Sequence, residues 1–409
     1  MSRDTAGRDV AEPSEGQAPG QPTTDDDTIP SGTDETDESP ANRGIVGFLD
    51  PRSFSVSQQL GVLGLLGLAV LPIFLTSLQA LTMTSAFFFA MFAMSWDAVS
   101  GYTGQISFGH GLFFAVGGYT SALLNLGHGV PPSLSIPAGV VLAAVAGVVI
   151  GVPALRLRGP YLSLITLVAP LILLQIFIFY SGIFGGELGI SAPASLLGFA
   201  PYANYYLAFG LFLFILAILL AVTRSNAGAV LTAIREDEDT VAAAGLNAAK
   251  FKTFAFVLSA AIGGLAGAVF VHTPQGSPRP SQLFSVLVNV EVIIAAILGG
   301  MGTIVGAAIG GLFFFLFRDW LSGLEYSIPL LNAPISEFDF LIFSVITLVL
   351  LFVLPGGFLR AAMHWGRGLL DRSAGGEDRA ATDGGQTPVE STLERYRKAI
   401  REITGGDRE

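Results

Sequence analysis

The chain has 409 residues, 51% hydrophobic and only 13% charged, with 50 glycines, no cysteine and a formal net charge of −11. About half the usual share of charge excludes an ordinary water-soluble globule and points to residence in a membrane. The lack of cysteine excludes disulfides, thiolate metal sites and cysteine nucleophiles.

Residues 1–57 hold twelve of the 32 acids, among them Asp25, Asp26 and Asp27 and then Asp34, Glu35, Asp37 and Glu38. Pro, Gly, Ser and Thr fill the gaps. Such a segment cannot bury enough apolar surface to offset its ordering entropy, so it reads as a disordered acidic tail. It has neither the basic start nor the apolar core of a signal peptide.

A long apolar region follows, residues 58–358. Since roughly 20 apolar residues span a bilayer, ten spans are predicted, at 60–78, 80–99, 106–124, 134–154, 161–181, 203–223, 253–272, 285–300, 303–318 and 338–354. Their runs of Leu, Ala, Val and Phe are apolar all round, which predicts helices and not barrel strands. The expected fold class is all-α, a polytopic membrane protein of about ten transmembrane helices.

Lys and Arg set the orientation. With ten spans and the N-terminus inside, 19 of the 21 basic residues fall inside and only Arg279 and Arg318 outside. The loops without the tails still divide six to two, so both termini are expected in the cytoplasm. The longest inner loop, 224–252, is polar, helix-prone in its middle and broken at Gly245. The C-terminal tail, 359–409, ends in "STLERYRKAIREI", 391–403. Ser391 and Glu394 have capping-box spacing, and Leu393, Tyr396, Ile400 and Ile403 share one helical face.

The stretch "GYTGQISFGHG", 101–111, interrupts the apolar runs. A phosphate loop needs a lysine, and this stretch holds neither lysine nor arginine. None of the three lysines ends a GxxxxGK pattern, so no nucleotide site is expected on this chain. The histidines, His110, His128, His272 and His364, are too scattered to signal a metal. Two acids stand within predicted spans, where ionisable groups are costly and often functional. Asp97 lies near an interface and suits a solvated or helix-end role. Glu291 lies deeper, two residues after Asn289, with no partner evident from spacing. Gly104, Gly109 and Gly111 provide the small faces that let helices approach. Thr103, Gln105, Ser107 and His110 must be paired or face water, so with Asn289 and Glu291 they are candidates to line a pathway.

These residues carry a resemblance. "GYTGQISFGHGLFFAVGGYTSALL" (101–124) resembles the signature of permease subunits of branched-chain amino acid ABC importers, M-type. "LRLRGPYLSLITL" (155–167), "AIREDEDTVAAAGLNAAKFKTFAFVLSAAIGGLAGAV" (233–269) and "LGGMGTIVGAAIG" (298–310) are similar to further stretches of that family, in the same order. The resemblance implies an ABC importer permease fold in the plasma membrane and a non-catalytic transport subunit. It implies a second, H-type permease, two ATPase subunits that use the ATP, and an extracytoplasmic substrate-binding protein. No cofactor, metal or nucleic acid is expected on this chain; membrane lipid surrounds it. Arg235, Glu238, Ala242, Ala243 and Gly245 fall in the segment that would dock the ATPase. The fuller family pattern places Glu-Ala-Ala three residues before the glycine; here those positions read Asp239-Thr240-Val241.

Three other readings stay open from sequence. Urea or short-amide permeases share similar glycine-rich signatures. An intramembrane enzyme would use His110, Asp97 or Glu291. A secondary transporter would work alone on an ion gradient.

Overall fold

The computed structural model describes residues 56–155, 160–323, 327–328, 333–334, 339–353 and 357. The acidic tail, Arg156 and Arg158, and the helix expected at 391–403 lie outside the described residues. The helices are α1 (Val56–Val70), α2 (Ser77–Thr103), α3 (Gly111–His128), α4 (Pro132–Ala154) and α5 (Pro160–Phe179). Then come the single turn α6 (Ser181–Phe184), α7 (Pro201–Thr223), α8 (Asn226–Glu236), α9 (Glu238–Ala243) and α10 (Ala248–Phe270). The short α11 (Pro280–Leu283), α12 (Val286–Gly300), α13 (Ile304–Ser322) and α14 (Asp339–Val353) follow. Strands β1 (Ser327–Ile328) and β2 (Ala333–Pro334) form a two-residue antiparallel pairing. The architecture is otherwise helical.

Each of the ten predicted spans coincides with a helix, but not with ten of crossing length. Among the described residues six are long and apolar enough to cross a membrane: α2, α4, α5, α7, α10 and α13. α12 has 15 residues and reaches roughly 22 Å, short of a hydrocarbon core of about 30 Å. The first two helices also divide differently from expectation. α1 ends at Val70, a 3₁₀ turn over Leu71–Ile73 follows, and Thr76 caps α2 by accepting from the Gln79 amide. Pro72 lies inside that 3₁₀ turn and cannot continue a helix from α1.

α2 is the axis of the fold. From Phe87 to Val99 almost every residue is buried, including Trp96 and Asp97. Lipid gives helices no hydrophobic reason to associate, so close packing of small residues must do it. A Cβ on Gly117 of α3 would strike the backbone of Gly264 in α10, and one on Gly311 of α13 would meet Ala90 of α2 at 2.7 Å. Gly299 of α12 meets the carbonyl of Gly306 in the same way. α7 packs on α2 through aromatic edges, with Phe87 and Tyr205 5.2 Å apart at 79°. The Tyr205 hydroxyl donates to the Leu68 carbonyl at 2.6 Å and holds α1 in place. The outward faces of α4 and α5 expose Val141, Val149, Leu164 and Ile172, the apolar surface a bilayer covers.

Candidate functional site: junction, α8–α9 pair and cavity

α2 ends at Thr103 because Gly104 takes a left-handed conformation, φ 72°, at its C-terminus. The next six residues run irregularly to His110. Backbone groups freed inside a membrane protein must find partners within it. Here they do. The Ser100 hydroxyl donates to the Gln105 carbonyl at 3.0 Å and accepts from the Ser107 amide at 3.2 Å. The Trp96 indole N–H donates to the Ser107 carbonyl at 2.7 Å. From α5, Ser163 donates to the Ile106 carbonyl and Thr166 accepts from the Phe108 amide. From α12, Asn289 Oδ1 accepts the first amide of α3, Gly111, at 2.6 Å, while its Nδ2 donates to the Ser285 carbonyl at 3.0 Å. A Cβ on Gly109 would collide with the Thr166 carbonyl, and one on Gly111 would press on the Asn289 amide.

His110 closes this junction. Its Nε2 lies 2.9 Å from Ser95 Oγ and 2.6 Å from Ser259 Oγ. Ser259 donates its own proton to the Ser95 carbonyl. The ring stacks on Phe92 at 5.9 Å and meets the edge of Phe113 at 5.3 Å. Thr103 donates to the Val99 carbonyl at 2.8 Å. Thr103, Ser107 and His110 are thus buried within the junction; Thr103 and His110 are held through their side chains and Ser107 through its backbone, its buried hydroxyl making no bond, and Gln105 contributes its backbone carbonyl.

α8 lies against the last turn of α2, beside Gly101 and Gly104, and α9 follows it. Asp237, in an extended conformation, separates the two helices and caps α9, accepting from the amides of Asp239 at 2.9 Å and Thr240 at 3.0 Å. The Thr240 hydroxyl and amide hold its carboxyl below the usual carboxylate range. Gly245, φ 81°, ends the pair. Ile234, Val241 and Ala248 form the small core beneath it. Lys252, nearly buried, pairs with Glu238 at 2.7 Å. Ala242, Ala243 and Gly245 stay exposed on the outer side.

Arg235 points inward. Its Nη1 donates to the Gly101 carbonyl at 2.8 Å, at the negative end of the α2 dipole. Beside it Asp97 Oδ1 accepts the Gly302 amide at 2.7 Å, so the turn between α12 and α13 is pinned to α2. Asp97 is fully buried. The solvated or helix-end role expected for it is replaced by this cross-link, whose partner stands 205 residues away.

Roughly 22 Å further along α13, at a rise of 1.5 Å per residue, a cavity of about 430 Å³ opens. Phenylalanines from α2, α3, α10 and α13 line much of its wall. Phe89 stacks on Phe314 at 5.4 Å, Phe92 meets Phe114 at 5.4 Å, and Phe114 meets Phe270 at 5.6 Å. Its polar side is Glu291 of α12, ion-paired with Arg318 of α13, together with Asp319, Gln275 and Gln282. Glu291 is the one sequence-predicted pathway residue that lines this cavity. Asn289, two residues earlier and so on the opposite side of α12, belongs to the junction. Among the described residues no three ligands converge into a metal-binding group.

Several participants escaped sequence reasoning: Ser95, Ser100, Thr166 and Ser259 at the junction, Arg318 and the phenylalanines at the cavity. Hydroxyls within apolar runs were a usable signal for the first group, since each must bond something. Phenylalanine is too common here, 31 residues, to mark a wall.

The profile of the family described as the branched-chain amino acid transport system permease component matches residues 79–354. The chain is 31% identical over 312 residues to the high-affinity branched-chain amino acid transport system permease protein LivM of Escherichia coli (strain K12), covering 68% of this chain and 72% of that protein. It is 27% identical over 279 residues to the probable branched-chain amino acid transport permease protein LivM of Methanocaldococcus jannaschii, covering 61% and 78%. To the high-affinity permease protein LivH of Salmonella typhimurium it is 26% identical over 291 residues, covering 66% and 91%. No solved structure matches the chain. With its apolar helices and these relatives, this multi-pass membrane protein belongs to the permease components of branched-chain amino acid transport systems, and resembles their M-type members.

Proposed function

We propose that the chain is the M-type permease subunit of an ATP-driven importer of branched-chain amino acids. It forms the translocation pathway with an H-type permease, receives cargo from an extracytoplasmic binding protein and is driven by two ATPase subunits, which alone use ATP. Both termini and the α8–α9 pair face the cytoplasm. Within the family established above, the observation that carries this reading is the exposed α8–α9 pair. Arg235 anchors it to α2, and the Asp97–Gly302 contact ties α2 to the turn before α13. A docked ATPase therefore pushes on helices and not on a slack loop.

The test is uptake into proteoliposomes holding the chain with its second permease, ATPases and binding protein. Labelled leucine should enter only with ATP and the ATPases. Urea uptake in place of leucine, or uptake by this chain alone on an ion gradient, would overturn the proposal. Thiol labelling of single cysteines placed in the two tails, in sealed inside-out and right-side-out vesicles, reads the orientation.

A further inference from the structure

The cavity between α2, α12 and α13 combines features that one class of ligand fits. Its wall is aromatic, so it welcomes a compact apolar group. Its rim carries both signs of charge. Arg318 is half-exposed at the rim, whereas its partner Glu291 is buried. A guanidinium has five N–H donors, more than one carboxylate can take. Gln275 Oε1 lines the same cavity, buried and without a hydrogen-bond partner, and a buried acceptor left unpaired is a costly arrangement that a ligand's donor relieves. The volume, about 430 Å³, lies within the roughly 300–1,000 Å³ of small-molecule sites.

We infer that this cavity holds the transported amino acid within the M-type subunit itself. Arg318 receives the carboxylate, Gln275 Oε1 and the flanking acids Glu291 and Asp319 receive the ammonium, and the phenylalanines enclose the side chain. The inference rests on the import function proposed above. Charge decides against other occupants. A lipid phosphate would suit Arg318 but would lie against two carboxylates. Urea would leave the aromatic wall without a partner. The site stands at the end of α13 opposite Arg235, so the helix whose N-terminus is pinned beside the coupling pair carries Arg318 near its other end. Movement of α13 would shift the carboxylate ligand against the wall formed by α2.

The natural absence of cysteine makes a direct test available. In the assembled importer, Gln282→Cys places one thiol of this chain at the cavity, and its labelling by a maleimide is followed by mass. Leucine should slow labelling several-fold and urea should not. A second variant, Val288→Phe, narrows the cavity. The KM for leucine should rise about tenfold while that for alanine changes far less, since one or two methylenes are worth that much in an apolar pocket. Co-purification with the other subunits controls for folding. No protection by saturating leucine in an importer that still carries leucine overturns this site while leaving the import function intact. An importer that carries no leucine at all overturns the function instead. Protection by phospholipid and not by leucine gives the cavity to lipid and also overturns the inference.

Discussion

Arg235 makes two demands on its surroundings that no shorter or rounder cation meets. It must reach the Gly101 carbonyl from another helix, and it must pass beside Gly104, where its Cγ would stand 3.1 Å from an added Cβ. Replacing it by Ala removes the link between α8 and α2 without touching the cavity. Leucine-dependent ATP hydrolysis should then lose its dependence on cargo, with transport reduced about tenfold, the scale of a typical coupling energy. Arg235→Lys should recover little, because a compact ammonium lacks the planar fork. The measurement is the ratio of transport to ATP hydrolysis in proteoliposomes. Gly109 is a different kind of residue. Its missing Cβ lets the junction lie on the Thr166 carbonyl, so Gly109→Ala should cost about 1–3 kcal/mol by overpacking. Thermal unfolding of the purified complex reads that loss, and an unchanged midpoint would remove the packing argument. Neither Arg235 nor Asp97 revealed its partner in the sequence. Spacing along one helix names neighbours three or four residues away, whereas these bonds join residues 134 and 205 apart.

Between Thr223 and Ala248 the chain makes two helices where sequence suggested one helical stretch broken at Gly245. The extra break is at Asp237. Its side chain offers the backbone a better bargain as a cap than as an interior helical residue. The cap also has a pH signature. Asp237 is held below its ordinary value of 3.8, first by the Thr240 hydroxyl. A group whose folded pKa is depressed contributes fully above the unfolded value, and that contribution is lost as pH falls through the folded one. Protection of the Asp239 and Thr240 amides against hydrogen exchange, corrected for intrinsic rates, should therefore fall on acidification below the ordinary carboxylate range. Asp237→Asn caps as well but does not titrate, and should keep its protection there. Equal acid loss in both proteins would show that another group governs α9. The long helices themselves were legible, because an apolar run of this length has few alternatives. Their ends were less so, since caps such as Thr76 and the left-handed Gly104 lie inside apolar or glycine-rich stretches.

As a whole, the molecule is a set of apolar helices held by a few polar rivets. The helical class and the ten helical segments follow from hydropathy. The number that cross does not, because α12 owes its place to α13, α2 and the junction and not to its own length. The glycine-rich stretch at 101–111 was legible as an irregular junction, but which wall its polar groups served was not. Thr103 turns back onto the carbonyl of its own helix, whereas His110 meets serine hydroxyls of α2 and α10. The cavity was the least legible feature of all. Its residues come from α2, α3, α10, the segment between α10 and α11, and α11, α12 and α13, and no local pattern unites them.

The bond between Gly111 and Asn289 also sets an order of events during biogenesis. The two residues are 178 apart. At roughly 5–20 residues per second, the ribosome delivers Asn289 about 10–35 seconds after Gly111. Throughout that interval the first turn of α3 lies in the membrane with its amide acceptor not yet made. Completion of the N-terminal helices must wait for the C-terminal ones, or for a helper that shields the gap. Chains arrested after α11 should be cut readily by protease between Gly104 and His110, and chains extended past α13 should resist. The junction would then serve the cell as a checkpoint, reporting whether the whole subunit has been synthesised before it is offered to its partners.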